Sequence, residues 1–178
     1  MKILKSITLA AILFVAVGVN AQSSKDKKVI KDAENAKEKL MTMDVGLDQF
    51  FNNSAGYVVF PNVGKGGFII GGASGNGVVY ENGEKVGMAD LKKLSVGLQA
   101  GGQAITEVIF FETAEDLAEF KEGDFEFSAE ASAVALKSGV AVNAKYRDGV
   151  AVFALPKAGL MADASVGGQK FDYKPLMK

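Results

Sequence analysis

Residues 60–77 read FPNVGKGGFIIGGASGNG, and seven glycines fall within the fourteen positions from Gly64 to Gly77. No other stretch restricts the fold as strongly. A phosphate-binding P-loop needs two glycines bracketing four residues, then Lys and Ser or Thr at the mouth of a helix. Here Lys65 follows Gly64 but precedes Gly66, and no helical pattern comes next. A dinucleotide fingerprint needs a helix N-terminus to hold pyrophosphate. Gly71 to Gly77 supplies GGxxGxG, but the β-branched and aromatic run Val78-Val79-Tyr80 follows it. Both readings are rejected. Glycine inside strands marks bulges, bends and close backbone approach, and repeated glycine lets a sheet coil towards closure. Gly101, Gly102, Gly139, Gly149, Gly167 and Gly168 recur at predicted strand ends. The glycines therefore predict a strongly bent sheet.

The flanking pattern supplies the other elements. Met1 to Ala21 has the form of a signal peptide: Lys2 and Lys5, the apolar run Ile7 to Val19, then Val19-Asn20-Ala21 as a small-x-small cleavage site. Cleavage after Ala21 is expected, which leaves a single domain over 22–178. Residues 22–28 read as a flexible polar lead. Residues 29–51 read as helical, because Val29, Ala33, Ala36, Leu40, Met43, Leu47 and Phe50 recur at three- and four-residue steps. Gly46 divides this segment into a helix ending near Met43 and a second from Val45 to Phe51. Residues 55–173 read mainly as strands, in short runs at 57–60, 68–70, 78–80, 85–88, 93–99 and 105–111, and again at 125–134, 140–146, 150–155 and 160–166. Asn82-Gly83 and Arg147-Asp148-Gly149 are turn signals. Thr113 and Asp116 sit at capping-box spacing before a helix over 113–120. The tail from Phe171 packs one aromatic edge and frays. LPKAGLMADASVGGQKFDY, residues 155–173, weakly echoes FPNVGKGGFIIGGASGNGVVY, residues 60–80. A true repeat would make two related strand pairs, and chance similarity of glycine-rich strands explains it equally well. The expected fold is α+β, with N-terminal helices packed on a bent, mainly antiparallel sheet that approaches a half-barrel.

Missing residue types narrow the chemistry. The chain has no His, Cys or Trp, and Arg147 is its only arginine. Disulfides, thiol nucleophiles, Ser-His-Asp triads and the common zinc sites are thereby excluded. Glu107, Glu112, Glu126 and Glu130 are the carboxylates available for acid–base work; Glu126 and Glu130 share one face of a predicted strand, but nothing places a partner opposite them. Without Lys2 and Lys5 the chain carries 18 basic against 21 acidic residues, a net charge of −3. A nucleic-acid binder would show a basic excess. No catalytic residue, metal or cofactor is expected.

Several segments together carry a family resemblance. They are the strand Ala55 to Pro61 ending in Phe-Pro, Lys65 to Gly67, the GGxxGxG block, and Ser95 to Gln103 (SVGLQAGGQ) leading to Phe110-Phe111. Asp124 to Ala135 and Ala158 to Leu160 with Ala164 to Gly168 complete the set. Over about residues 29–173 the chain resembles the SYLF lipid-binding family, in particular its exported bacterial members. The resemblance implies binding of lipid or membrane. Eukaryotic members are associated with phosphoinositides and, in some cases, actin. This chain departs from them: acids offset the lysines of its N-terminal helix, and one arginine leaves no bidentate phosphate clamp.

Lysines and one aromatic are the candidate lipid contacts. Lys65 lies in the glycine stretch, Lys92 and Lys93 precede a strand, and Lys145, Tyr146 and Arg147 sit at a turn. Each lysine reads equally as a solvated charge, Lys92 and Lys93 also as protection of a sheet edge, and Tyr146 as an interfacial anchor. The helical segment, with Met41, Met43, Phe50 and Phe51, either lies in a membrane interface or covers the sheet. The expected function is non-enzymatic binding of phospholipid or acyl chains in the cell envelope, with peripheral membrane contact and no nucleic acid. Export is expected, to the periplasm or beyond. The other reading is a structural or protein-interaction module of the envelope. Oligomeric state is not legible.

Overall fold

The computed structural model describes residues 24–66, 70–96, 103–123, 125–127, 133–157 and 166–176. The candidate signal peptide and the predicted strand at 160–166 lie outside the described residues. Helix α1 spans 24–43, so it starts within the segment expected to be a flexible lead. Its buried residues Ala33, Ala36 and Leu40 keep the predicted spacing. A 3-10 turn, Val45–Leu47, and helix α2, Asp48–Asn53, follow, so the break falls where Gly46 placed it.

Seven strands form one sheet: β1 (Gly56–Gly66), β2 (Ile70–Glu81), β3 (Glu84–Val96), β4 (Gln103–Phe111), β5 (Val134–Ala135), β6 (Val150–Pro156) and β7 (Gln169–Pro175). Their order is β5-β6-β4-β1-β2-β3-β7, antiparallel except for β5 against β6. The short runs predicted at 57–60, 78–80 and 85–88 are parts of three long strands. Asn82 and Gly83, at φ 51° and 79°, make the tight β2–β3 turn. Helix α3, Ala114–Glu122, begins at Thr113 with the predicted capping box closed in both directions.

Glycine in the strand interior serves close approach. A Cβ at Gly77 would lie 2.6 Å from the Phe60 ring and 2.9 Å from the Val59 carbonyl oxygen. One at Gly87 would lie 2.0 Å from the Tyr173 ring. Each strand passes under an aromatic ring that a side chain would displace. Pro61, which has no N–H to donate, sits where β1 shifts register against both β2 and β4, the place where a central strand tolerates proline.

The sheet is covered on both faces. Tyr57, Val59, Val78, Val108 and Phe110 pack with Leu40, Leu47 and Phe50 of the N-terminal helical segment. Val58, Phe60, Ile109 and Phe111 pack with Leu117 and Phe120 of α3. The helices thus cover the sheet, the second of the two readings above.

Chain connectivity requires the sheet to curl. Beyond β7, Glu126 bridges Lys170 and Phe127 accepts a hydrogen bond from the Gly168 amide. Seven residues later, Val134 pairs with β6 at the opposite edge. Seven residues reach at most about 25 Å, whereas eight flat strands span about 33 Å at 4.8 Å each. The sheet must therefore bend, and it remains open because no ladder joins its edges among the described residues.

Three expectations are corrected. Residues 140–146 form no strand: a 3-10 turn, Ala141–Asn143, occupies that stretch. The tail is more than an aromatic edge: Phe171 packs on Phe120, and the chain runs on to Pro175 as β7, paired with β3 from Gly87 to Lys93. The echo does not correspond to a second strand pair, since β6 and β7 are separated by four strands while β1 and β2 are neighbours.

Candidate functional site

Asp44 organises one end of the molecule. It terminates α1, with its amide donating to the Leu40 carbonyl at 3.0 Å, and its backbone is extended. The side chain is only 1% exposed. One carboxylate oxygen accepts from the Gly46 amide at 2.9 Å, and the other from the Ala141 amide at 2.7 Å. Burial pushes this carboxyl up, but the backbone amides of Ala141, Gly46, Gly139 and Val140 outweigh it, and the net pKa is lowered. Asp44 therefore staples the turn at 45–47 to the turn at 141–143 as a carboxylate. The Gln49 amide adds a second tie, donating to the Ala141 carbonyl at 2.9 Å. The turns touch so closely that a Cβ on Gly46 would lie 2.8 Å from Val142.

This double turn holds apolar side chains in solvent. Val45 is 76% exposed, Val142 62% and Met43 38%, and these are the exposed large hydrophobics among the described residues. Beside them opens a cleft of about 440 Å³, lined by Phe50, Glu112, Lys145 and Tyr146, with Gln49 and Asn53 at its α2 side. The Tyr146 ring meets Phe50 edge-on at 5.4 Å. Burial, with a smaller contribution from Glu112, pushes its hydroxyl up to about 12. Arg147 follows, closing the tight turn through Asp148 and Gly149 onto Val150. The structure thus brings Lys145, Tyr146 and Arg147 to the end that carries Met43, Val45 and Val142.

The other predicted lysines lie elsewhere. Lys92 is on β3, with β2, β1 and β4 between it and the strand that follows Arg147. Four strand spacings separate β3 from β6, about 19 Å along the sheet. Lys92 is held at 2.9 Å by Asp172, which raises the lysine pKa and lowers that of the aspartate. Lys174 and Asp90 pair likewise at 2.9 Å, so this face carries an ion ladder in which each lysine has an acid. Lys93 is half-buried and lies opposite Ala73, whose other register neighbour is Lys65. The Lys65 side chain lies outside the described residues.

The carboxylates are dispersed. Glu107 is fully buried and accepts from the Gln169 amide at 3.2 Å. Glu112 lines the cleft, Glu126 pairs with Lys170 at 3.3 Å, and Glu130 lies outside the described residues. Glu107 in the sheet interior, Glu112 in the cleft and Glu126 beside β7 thus lie in different parts of the fold. Sequence reasoning missed Asp44, Val45 and Val142. An aspartate ending an apolar helical stripe two residues before glycine was the available signal for Asp44. Val142 falls in a stretch whose sequence predicts a strand, where it would be half-buried.

Comparison with known proteins gives two findings. Residues 92–174 match the Ysc84 family, described as Las17-binding protein actin regulator. The chain is also 27% identical over 158 residues to beta cell expansion factor A of Aeromonas veronii. That alignment covers 86% of this chain and 59% of the other protein, so the chain spans less than two thirds of that relative's length.

Proposed function

We propose that this chain, which matches the Ysc84 (SYLF) family over residues 92–174, is a SYLF-type, non-enzymatic phospholipid-binding protein that acts peripherally at a membrane after export. The observation that carries the reading is the meeting of Lys145, Tyr146 and Phe50 in one open cleft. Lys145 supplies a point charge for a phosphate. Glu112, in the same lining, suits an ammonium or hydroxyl group on the same headgroup, and the two rings supply an apolar wall. Tyr146 adds an amphipathic ring of the kind that favours the boundary between headgroups and acyl chains. The family description names an actin regulator, but an exported chain meets no actin filament. Periplasmic residence follows from the expected cleavage after Ala21 and is part of the proposal.

Flotation of the purified chain with phosphatidylcholine vesicles, and with equal parts of phosphatidylcholine and phosphatidylglycerol, tests it. Association with both is expected, tighter with the anionic mixture and weakened only modestly by 0.5 M salt, because few charges take part. Failure to float with either composition would remove the reading.

A further inference from the structure

An exposed valine normally needs no explanation, because single apolar side chains are scattered over every protein surface. Val45, Val142 and Met43 are not scattered. They belong to two turns 97 residues apart in sequence, joined by one buried carboxylate. The joint is stiff: both Asp44 oxygens accept from backbone amides, and Gln49 holds the Ala141 carbonyl. A buried, deprotonated aspartate costs free energy unless its hydrogen bonds are satisfied. Here it fixes two turns that each bury one apolar side chain, Leu47 and Ala141, and hold another, Val45 and Val142, in solvent; the core accounts for the first pair and not for the second.

Resting on the lipid-binding reading above, we propose that this stapled double turn is a membrane anchor, whose Val45, Val142 and Met43 enter the headgroup–acyl boundary of a phospholipid bilayer. Area favours a bilayer over a protein partner. The three side chains expose on the order of 300 Å², against about 800 Å² per partner in a stable protein interface. A few protruding apolar side chains suffice for reversible interfacial binding, which scales with the apolar area buried. Charge favours the same occupant. Within five residues of these three side chains, the exposed charges are Lys39, Lys137, Lys145 and Arg147 against Glu38 and Asp48. The chain as a whole is net negative, whereas the sequence flanking these side chains carries four positive charges against two negative. That suits a surface of lipid phosphates. Tyr146, half-buried beside the tip, lies where an interfacial ring belongs.

The experiment uses vesicles of equal parts phosphatidylcholine and phosphatidylglycerol. The full chain is compared with the double variant Val45→Ser, Val142→Ser, whose exposed positions leave the core intact, as circular dichroism checks. A weakening of about tenfold for each valine is expected. A second readout exploits the absence of tryptophan from the chain. Val142→Trp places a single fluorophore on the tip, and Glu119→Trp places one on the exposed side of α3. Vesicles are expected to move the emission of the first to shorter wavelength and to leave the second unchanged. Unweakened binding by the serine variant, or an unshifted Val142→Trp signal on bound protein, would overturn the anchor while leaving the lipid reading standing. No binding by the unmodified chain would overturn both. A Val142→Trp shift that follows protein concentration without lipid would make the tip a self-association surface and also overturn the proposal.

Discussion

Replacing Asp44 by Ala removes the acceptor for two backbone amides at once. The Ala141 amide is buried and finds no substitute, whereas the Gly46 amide is half-open and recovers a water. A hydrogen bond to a charged group contributes about 1.5–3 kcal/mol, and an orphaned buried donor costs a further part of its desolvation. The expected loss is therefore about 3 kcal/mol, a large share of the 5–15 kcal/mol typical of a domain. At this chain length that corresponds to a fall of about 6–12 °C in Tm. Asp44→Asn keeps one acceptor and presents an NH2 to the other donor, so its cost should be intermediate. The pH dependence separates charge from shape. The folded pKa of Asp44 lies below the usual 3.8, so its stabilisation is present above that unfolded value and is lost as pH falls through the lowered folded one. Urea midpoints of the three proteins at pH 7 and pH 3 measure this. The gap between parent and Asn variant should narrow at pH 3. An Ala variant within 0.5 kcal/mol of the parent at pH 7 (a threshold set by the ~1 kcal/mol a single ordinary hydrogen bond contributes) would refute the staple.

Gly77→Ala should destabilise by about 1–3 kcal/mol, because its Cβ meets the Val59 carbonyl as well as the Phe60 ring. Gly64→Ala, with open space around it, should be near neutral by the same urea titration. Tyr146 titrates near 12 in the folded chain against about 10 when unfolded. Its stabilisation is thus complete below pH 10 and is lost as pH rises towards 12; Tyr146→Phe should lessen the alkaline fall in Tm. Lys92→Gln breaks only an exposed ion pair, so it should leave both the urea midpoint and vesicle affinity unchanged, whereas Lys145→Gln should weaken vesicle binding several-fold.

Local signals survived into the structure where a single residue type carries them. The capping box at Thr113 and Asp116, the Asn82-Gly83 turn and the helix break around Gly46 are all determined within a few residues. Strand length was not legible, because Gly75 and Gly77 look like breaks but are interior positions beside Val63 and Phe60. Partners lie 12 or more residues away, and only pairing reveals why a side chain has no room there. The bend was readable from glycine content, yet its cause includes the short path from Phe127 to Val134, which requires the strand order. Residues 140–146 were misread because Val140 and Val142 have high strand propensity, while the carboxylate that overrides it comes from Asp44. Residue type and turn position single out the candidate lysines in the sequence. Charge pairing across β3 and β7 then engages Lys92, and the turn before β6 sets Lys145 and Arg147 beside an apolar tip that no pattern announced.

Hydrogen–deuterium exchange of the full chain, with and without phosphatidylcholine–phosphatidylglycerol vesicles, tests the lipid-binding account most directly, since it needs no substitution. Slowed exchange is predicted in peptides covering 43–50 and 138–147, with β3 and β7 unchanged. Protection centred on the Lys92–Asp172 ladder, or no protection anywhere, would contradict it.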